Sequence, residues 1–177
     1  KTGASGKMLA EYAQWPLFST VGIDASFYNP LSEKTLAEYA AALPSGFRCV
    51  SKVWDRITVH THSKMRDKAH AGQPNPDFLN SELFVEAVLD PCLRHFADHL
   101  GPFVFEFQAI THKSKVPPQA FADQLDRFRR LLKDSNDRVA GGRPGERLSA
   151  RYHFVKQNSE APDIRPDIYL AALGLFG

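Results

Sequence analysis

Apolar and polar positions along this chain alternate between helical and strand periodicities. Residues 7–14 have the apolar spacing of a short helix, and residues 20–28 (TVGIDASFY) predict a strand. Ser32 caps a predicted helix that ends near Pro44, and residues 47–53 predict a second strand. This alternation favours a parallel sheet whose strands are joined by crossover helices.

The second half of the chain continues the alternation. Ser81 caps a predicted helix that Pro91 is expected to break or restart, with Asp90 as a second cap. Residues 103–108 (FVFEFQ) predict a third strand. The other predicted elements are an amphipathic helix over 117–132, a connection over 134–145, a fourth strand over 151–158 and a short helix over 166–173.

Four predicted strands and five predicted helices indicate one α/β domain over residues 1–177. A closed eight-stranded barrel typically needs about 250 residues. The expected fold is therefore an open α/β sheet or part of a TIM-type (β/α) barrel, with about four parallel strands and flanking helices.

Composition narrows the function classes. Apolar residues make up 43% and charged residues 24% of the chain, which is typical of a packed globular domain. The net charge of +2 gives no overall field that would attract nucleic acid or a membrane surface. We find no GxSxG, HExxH, Walker or GxGxxG motif, and we assign no cofactor.

The two cysteines indicate a reducing compartment. Cys49 and Cys92 lie in apolar surroundings without CxxC spacing, so a disulfide framework is not expected and core packing is. No run of 18 to 20 apolar residues predicts a membrane span, and the first twelve residues lack the apolar core of a signal peptide. We therefore expect a cytoplasmic protein.

Four sequence blocks in fixed order resemble the YecE-like family, also called domain of unknown function 72. They are TVGIDASFYNP at 20–30, GFRCVSKVWDRITVHT at 46–61, AGQPNPDFLNSELF at 71–84 and GPFVFEFQ at 101–108. The resemblance covers residues 7–133 and implies a TIM-like barrel of unassigned activity. The resemblance assigns the four predicted strands to the second, third, fourth and fifth strands of the barrel. The domain is therefore expected to lack the first strand and the last three strand units.

The resemblance weakens from Tyr152 onward. Where the family usually has a Glu-Val-Arg-Asn type of strand, this chain has VKQN at 155–158, without the acidic and arginine side chains. Divergence, a gene fragment and an altered reading frame would each produce this departure.

The candidate catalytic residues are expected where strands end, because barrel active sites lie at the carboxyl ends of the strands. Strand alternation places Asp24 with Ser26, and Glu106 with Gln108, on inward faces. Lys52 on the neighbouring strand is the expected partner of both carboxylates. The alternative is a purely structural ion pair.

Residues 54–77 form a polar stretch much longer than the usual connection of about 2 to 6 residues, which favours a functional loop. His60 is assigned to the catalytic centre, and His62, Lys64 and Arg66 to the binding of an anionic small molecule. A chelating HxH pair lacks a fixed third ligand, so no metal is assigned. The alternative is a solvated polar loop.

Aromatic and amide side chains complete the predicted substrate site. Tyr28 and Trp54 can stack on a sugar or a base, although core packing is the alternative. Three polar residues are included as further binding residues: Ser26, Gln108 and, at the end of the fourth predicted strand, Asn158.

Three hypotheses about function follow. The first is a hydrolase or lyase that acts on a phosphorylated or sugar-like substrate at the carboxyl ends of the strands. The second is a non-catalytic barrel fragment that associates through open sheet edges. The third is nucleic-acid binding through the basic loop 60–70, which the near-neutral net charge does not encourage.

Overall fold

A computed structural model of the chain describes residues 4–64, 66–107, 116–139, 149–150, 153–156 and 175–176. Gln108, Asn158 and the short helix predicted over 166–173 lie outside these residues. The helices are α1 (Ala4–Ala13), α2 (Ala25–Tyr28), α3 (Glu33–Ala42), α4 (Asp55–Thr58), α5 (Ser81–Phe84), α6 (Asp90–His95) and α7 (Pro118–Val139).

Four of the described strands form a parallel sheet with helices flanking it. Its strands are β1 (Thr20–Ile23), β2 (Arg48–Lys52), β3 (Leu100–Phe107) and β5 (His153–Lys156), hydrogen-bonded in that order. Each strand therefore lies beside the next one along the chain, as expected for successive crossover units. A separate antiparallel pair, β4 (Ser149–Ala150) with β6 (Leu175–Phe176), was not predicted.

A bulge between β2 and β3 sets the register of the sheet. Cys49 pairs with Leu100 but Ser51 pairs with Phe103, so β3 contains one extra residue. Gly101 lies in this bulge, where an added Cβ would stand 2.5 Å from the Cys49 carbonyl oxygen. The shift places Lys52 beside Val104. Glu106 lies two residues after Val104, so its side chain is on the same face of β3.

Two helices follow the sequence prediction closely. Ser32 caps α3, since its hydroxyl oxygen accepts a hydrogen bond from the Thr35 N–H at 3.1 Å. The amphipathic helix α7 buries its apolar stripe against the sheet, and that stripe consists of Phe121, Leu125, Phe128 and Leu132. The helix continues to Val139, so the connection predicted from residue 134 is wrong at its start.

The predicted strand over 20–28 is also too long. It ends at Ile23, and Asp24 precedes the one-turn helix α2. Ser26 explains the turn, because its hydroxyl lies 2.7 Å from the Ile23 carbonyl oxygen and 2.6 Å from that of Lys52. Hydroxyl groups that bind nearby main-chain groups in this way compete with strand pairing.

The α-helix restarts just before Pro91, as the sequence predicted, but the backbone stays helical across the junction. A π-helical segment (Val85–Leu89) connects α5 to α6, Asp90 has helical angles, and the N-cap of α6 is Leu89 rather than the predicted Asp90. The wider π turn accommodates the ring that would clash with a carbonyl in a regular α-helix. The N-cap of α5 is Asn80, one residue before the predicted Ser81.

The core lies between the sheet and the helices. Phe103 and Phe105 of β3 contact the ring of Phe84, and Phe128 of α7 packs against Phe84 and Phe105. Fully burying one such ring contributes roughly 1.5–3 kcal/mol. Both cysteines are buried free thiols, as predicted, and burial raises the pKa of Cys49 and of Cys92 to about 12.

Candidate active site

Three of the four predicted catalytic residues meet at the carboxyl ends of β1, β2 and β3. Lys52 Nζ lies 3.0 Å from Glu106 Oε2 and 3.4 Å from Asp24 Oδ1. We call Asp24, Lys52 and Glu106 the Lys52 cluster. Since the parallel strands end at one edge of the sheet, their last polar side chains converge there.

Exposure increases across the Lys52 cluster. The Glu106 side chain is 13% exposed, Lys52 36% and Asp24 74%. Glu106 therefore lies at the inner end, Asp24 lies in solvent, and the ammonium group joins them. Such a gradient places a partly desolvated carboxylate next to a position that a small molecule can reach.

One ammonium is shared by two carboxylates in this cluster. Lys52 Nζ lies between Glu106 Oε2 and Asp24 Oδ1, and both carboxylates favour its charged form. The pKa of Lys52 is raised, chiefly by its hydrogen bond to Glu106, with smaller contributions from charge attraction to Glu106 and Asp24. Lys52 is therefore held as a cation, which suits binding and electrostatic roles rather than those of a base or nucleophile.

The α2 segment positions the outer side of the cluster. Ser26 is buried, and its hydroxyl proton is shared between two main-chain carbonyls, one of which belongs to Lys52. The Phe27 ring lies 5.8 Å from Lys52 Nζ. Ser26 therefore holds α2, with Asp24 at its start, against the end of β2.

Tyr28 and Trp54 lie near the edge of the site, each with an arginine over its ring. Tyr28 ends α2 rather than a strand and is exposed, whereas Trp54 is half-buried just after β2. The guanidinium of Arg66 lies 5.2 Å from the Tyr28 ring, and that of Arg56 lies 5.5 Å from the Trp54 ring. Each aromatic ring thus has one face occupied by a cation.

Arg66 is engaged within the protein. Its Nε and Nη2 donate to Asp55 Oδ2 at 2.6 Å and to Asp55 Oδ1 at 3.0 Å. Nη2 also donates to the Tyr28 carbonyl oxygen at 2.7 Å. We call Tyr28, Asp55 and Arg66 the loop clamp, because this bidentate pair fastens the long loop to α2.

His60 packs inside the long loop. It is buried, its Nδ1 is 2.7 Å from Thr61 Oγ1, and its ring contacts Phe78. Phe78 in turn contacts Phe107 near the end of β3. The contacts described for His60 thus differ from those that join Asp24, Lys52 and Glu106, and its part in the catalytic centre stays a prediction.

The other basic residues of the loop face outward. Lys64 is exposed, and the rings of His62 and His70 lie 5.9 Å apart. His70 Nδ1 lies 2.8 Å from Asp67 Oδ2. This hydrogen bond is the largest of the effects that lower the pKa of Asp67.

Sequence reasoning missed Asn75, which organises the loop. Asn75 is buried, and its Nδ2 donates to the carbonyl oxygens of Arg56 at 2.8 Å and Val59 at 2.7 Å. Its Oδ1 accepts from the Asp77 N–H at 3.0 Å. The Asn-Pro dipeptide at 75–76 was a turn signal that pointed to it.

The described residues contain neither a three-residue metal-binding group nor a helix that could span a membrane. Within the part of the chain that the structure describes, no group of three His, Cys, Asp or Glu side chains is arranged to hold a metal ion. Within the same residues, no helix has both the length and the apolar character that crossing a membrane requires.

Comparisons with known proteins place the chain in a family. A similar solved structure is the crystal structure of a DUF72 family protein from Enterococcus faecalis, 22% identical, with a TM-score of 0.47. The match covers 72% of this chain and 45% of that chain, so this chain spans less than half of that protein's length. No curated protein matches the chain. The model of the family described as "Protein of unknown function DUF72" matches residues 1–140, and the chain belongs to that family.

Proposed function

We propose that the Lys52 cluster is the acid–base centre of a hydrolase or lyase that acts on a sugar-like substrate. The observation that carries the proposal is the position of the Lys52 ammonium between Glu106 and Asp24 at the carboxyl ends of three parallel strands. The second carboxylate, that of Asp24, extends from the ammonium into solvent, where a substrate can reach it.

In this proposal the three side chains have separate roles. Glu106 is the proton-transferring group, because a partly buried carboxylate at a strand end can act as a general base or acid. Lys52 binds a substrate oxygen and stabilises negative charge that develops on it. Asp24, which is mostly exposed, binds a substrate hydroxyl at the mouth.

Charge and aromatic content favour a sugar-like substrate over a phosphorylated one. A phosphate beside Lys52 would meet two carboxylates, and Arg66 is already paired with Asp55. Tyr28 offers an exposed aromatic surface of the kind that packs on sugar rings. The same pairing of Arg66 leaves less positive charge in the loop for nucleic acid.

The TIM-like barrel and the cytoplasmic location are parts of the same proposal. The sequential, all-parallel order of β1, β2, β3 and β5 is the order of neighbouring strands in such a barrel. Buried free thiols at Cys49 and Cys92 fit a reducing compartment.

The test is an activity screen with matched variants. The chain is assayed against nitrophenyl glycosides and sugar phosphates, and the same assay is run on Glu106→Gln, Lys52→Met and the control Glu86→Gln, which removes an exposed carboxylate. Loss of general acid–base catalysis predicts a fall in kcat of about 10²–10⁴-fold for Glu106→Gln. Absence of turnover with every compound, or equal rates in Glu106→Gln and Glu86→Gln, would overturn the proposal.

A second candidate function is self-association through β1. Among the described residues, β1 pairs only with β2, and its four residues TVGI include neither a charge nor a proline to block further pairing. Trp15, Leu17 and Phe18 expose apolar surface just before this strand. Open edges of this kind pair with a second copy.

Light scattering during size-exclusion chromatography tests this candidate. We expect a concentration-dependent dimer that Thr20→Lys, on the exposed edge, shifts toward monomer, while Glu38→Lys on α3 has no effect. A monomer at every concentration would reject self-association.

A further inference from the structure

Outside the Lys52 cluster, the loop after β2 brings His62, Asp67 and His70 together. The ring centroids of His62 and His70 are 5.9 Å apart, with the ring planes inclined by 50°. Asp67 contacts His70 twice: Oδ2 is 2.8 Å from the ring Nδ1, and Oδ1 accepts from the main-chain N–H at 3.1 Å. None of these three side chains has a part in the proposed acid–base chemistry.

The carboxylate of Asp67 decides which nitrogen of His70 is available to a ligand. An ionised carboxylate only accepts hydrogen bonds, so Nδ1 carries the proton and donates it to Asp67. In the neutral ring, Nε2 then has a free lone pair. A carboxylate on the far nitrogen is the arrangement that orients metal-binding histidines and makes them more basic.

Main-chain hydrogen bonds hold the two histidines in position. The His62 N–H donates to the Gln73 carbonyl at 3.0 Å, and the Gly72 N–H donates to the His62 carbonyl at 2.9 Å. Gly72 has a φ of +80°, a conformation that favours glycine and allows this turn. The Gln73 N–H also donates to the His70 carbonyl at 2.9 Å, so main-chain hydrogen bonds tie both histidines to one turn, and rotation of the side chains can bring their rings closer.

We propose that His62 and His70 form an open, two-histidine binding site for Zn²⁺ or a similar borderline divalent cation. Zn–N distances of about 2.0–2.1 Å place two imidazole rings on a tetrahedral ion roughly 5 Å apart, close to the separation in this loop. The described residues provide no third ligand already in place, so the other coordination positions are open to water or to a small ligand. Imidazole ligands select Zn²⁺, Ni²⁺ and Cu²⁺ over Mg²⁺.

The site differs from the HxH chelate that the sequence suggested. His60 is buried and its ring packs against Phe78, so it does not join His62. The second histidine is instead His70, which lies eight residues after His62 in the chain.

Isothermal titration of the tag-free chain with Zn²⁺, and separately with Mg²⁺, tests the proposal. We expect one Zn²⁺ per chain and no Mg²⁺ binding. His62→Gln and His70→Gln should each weaken Zn²⁺ binding at least tenfold, and Asp67→Asn should weaken it about 10–100-fold as the loss of an orienting carboxylate. The control His95→Gln changes a partly exposed histidine on α6 and should bind as the original chain does.

Thermal unfolding without metal shows whether each variant is folded before titration. In the same measurement with Zn²⁺, the metal should raise the Tm of the original chain but not that of His62→Gln. No Zn²⁺ binding by the original chain would overturn the proposal. Undiminished binding by His62→Gln and His70→Gln, or an equal loss in His95→Gln, would overturn it as well.

Discussion

The Lys52 cluster and the loop clamp are both ion-pair sites beside α2, but their charges are arranged differently. In the loop clamp, one guanidinium meets one buried carboxylate through two hydrogen bonds and also caps the Tyr28 carbonyl. In the Lys52 cluster, one ammonium is shared by two carboxylates that differ widely in exposure. The bidentate pair holds the loop in place, whereas the exposed carboxylate of Asp24 leaves one side of the Lys52 cluster open to a ligand.

This difference divides what the sequence analysis had treated as one site. Arg66 was assigned to substrate binding because basic residues of an active-site loop commonly bind anions, yet its donors meet Asp55 and Tyr28. The comparison therefore predicts that substitutions in the loop mainly lower stability, while substitutions in the Lys52 cluster have smaller effects on stability.

The largest expected effect is at Asn75, the centre of the loop. Asn75→Ala leaves the Arg56 and Val59 carbonyls and the Asp77 N–H, which are partly buried, without their side-chain partner. We expect the free energy of unfolding to fall by about 3 kcal/mol, as for three partly buried hydrogen bonds lost together. Urea unfolding followed by circular dichroism measures this change.

Gln73→Ala, at an exposed position of the same loop, is the control and should change stability by less than about 0.5 kcal/mol. Equal effects of the two substitutions would mean that the loop is not anchored through Asn75.

The next effect in size is at the loop clamp. Asp55→Asn removes the charge from a buried carboxylate that accepts two hydrogen bonds from Arg66. Because Arg66 is partly exposed and can find water instead, we expect a loss of about 2 kcal/mol rather than the larger cost of a fully buried pair. Asp126→Asn breaks an exposed pair with Arg129 and should cost little. A similar loss in both variants would contradict the distinction between clamped and solvent-exposed charges.

Periodicity predicted the elements whose apolar positions face the core. Buried side chains recur at regular spacing in α7 and β3, so both elements could be located from the sequence; they are Phe121, Leu125, Phe128 and Leu132 of α7 and Phe103 and Phe105 of β3. The end of β1 could not, because the signal for it is the hydrogen bonding of Ser26 to a carbonyl on another strand. The π-helical turn before Pro91 likewise depends on local backbone geometry that side-chain hydrophobicity does not encode.

The candidate site was predictable to the extent that it lies on strands. Alternation placed Lys52 and Glu106 on one face, and the structure places them 3.0 Å apart. The positions of His60 and Arg66 depend on how a long loop folds back, which requires contacts such as Asn75 to Val59 that sequence spacing does not reveal. Asp24 reached the cluster for a reason other than the predicted one, since it follows β1 instead of lying within it.

The smallest expected effect concerns the pH dependence of the Lys52 cluster. The pKa of Lys52 is raised above its ordinary value of 10.5, chiefly by the hydrogen bond to Glu106. A raised pKa in the folded state means that the ammonium stabilises the fold fully below about pH 10.5, and that this contribution is lost as the pH rises through the folded-state pKa. Lys52→Met should therefore be less stable than the original chain at pH 7 and pH 9, with the difference shrinking at pH 11. The effect stays below that of Asp55→Asn, because Lys52 is 36% exposed and solvent screens its pairs.

Lys34→Met separates this contribution from the general alkaline loss of stability, since Lys34 pairs with Glu38 only at 3.9 Å on the exposed surface of α3. Urea unfolding of the three proteins at each pH gives the comparison. A stability difference for Lys52→Met that is constant or grows with pH would show that Lys52 stabilises the fold by packing instead of charge. If the stability difference from the original chain shrinks with pH for Lys52→Met but not for Lys34→Met, the ammonium between Glu106 and Asp24 is the stabilising group. The charge state of the proposed acid–base centre can then be followed through the free energy of unfolding, before any substrate is known.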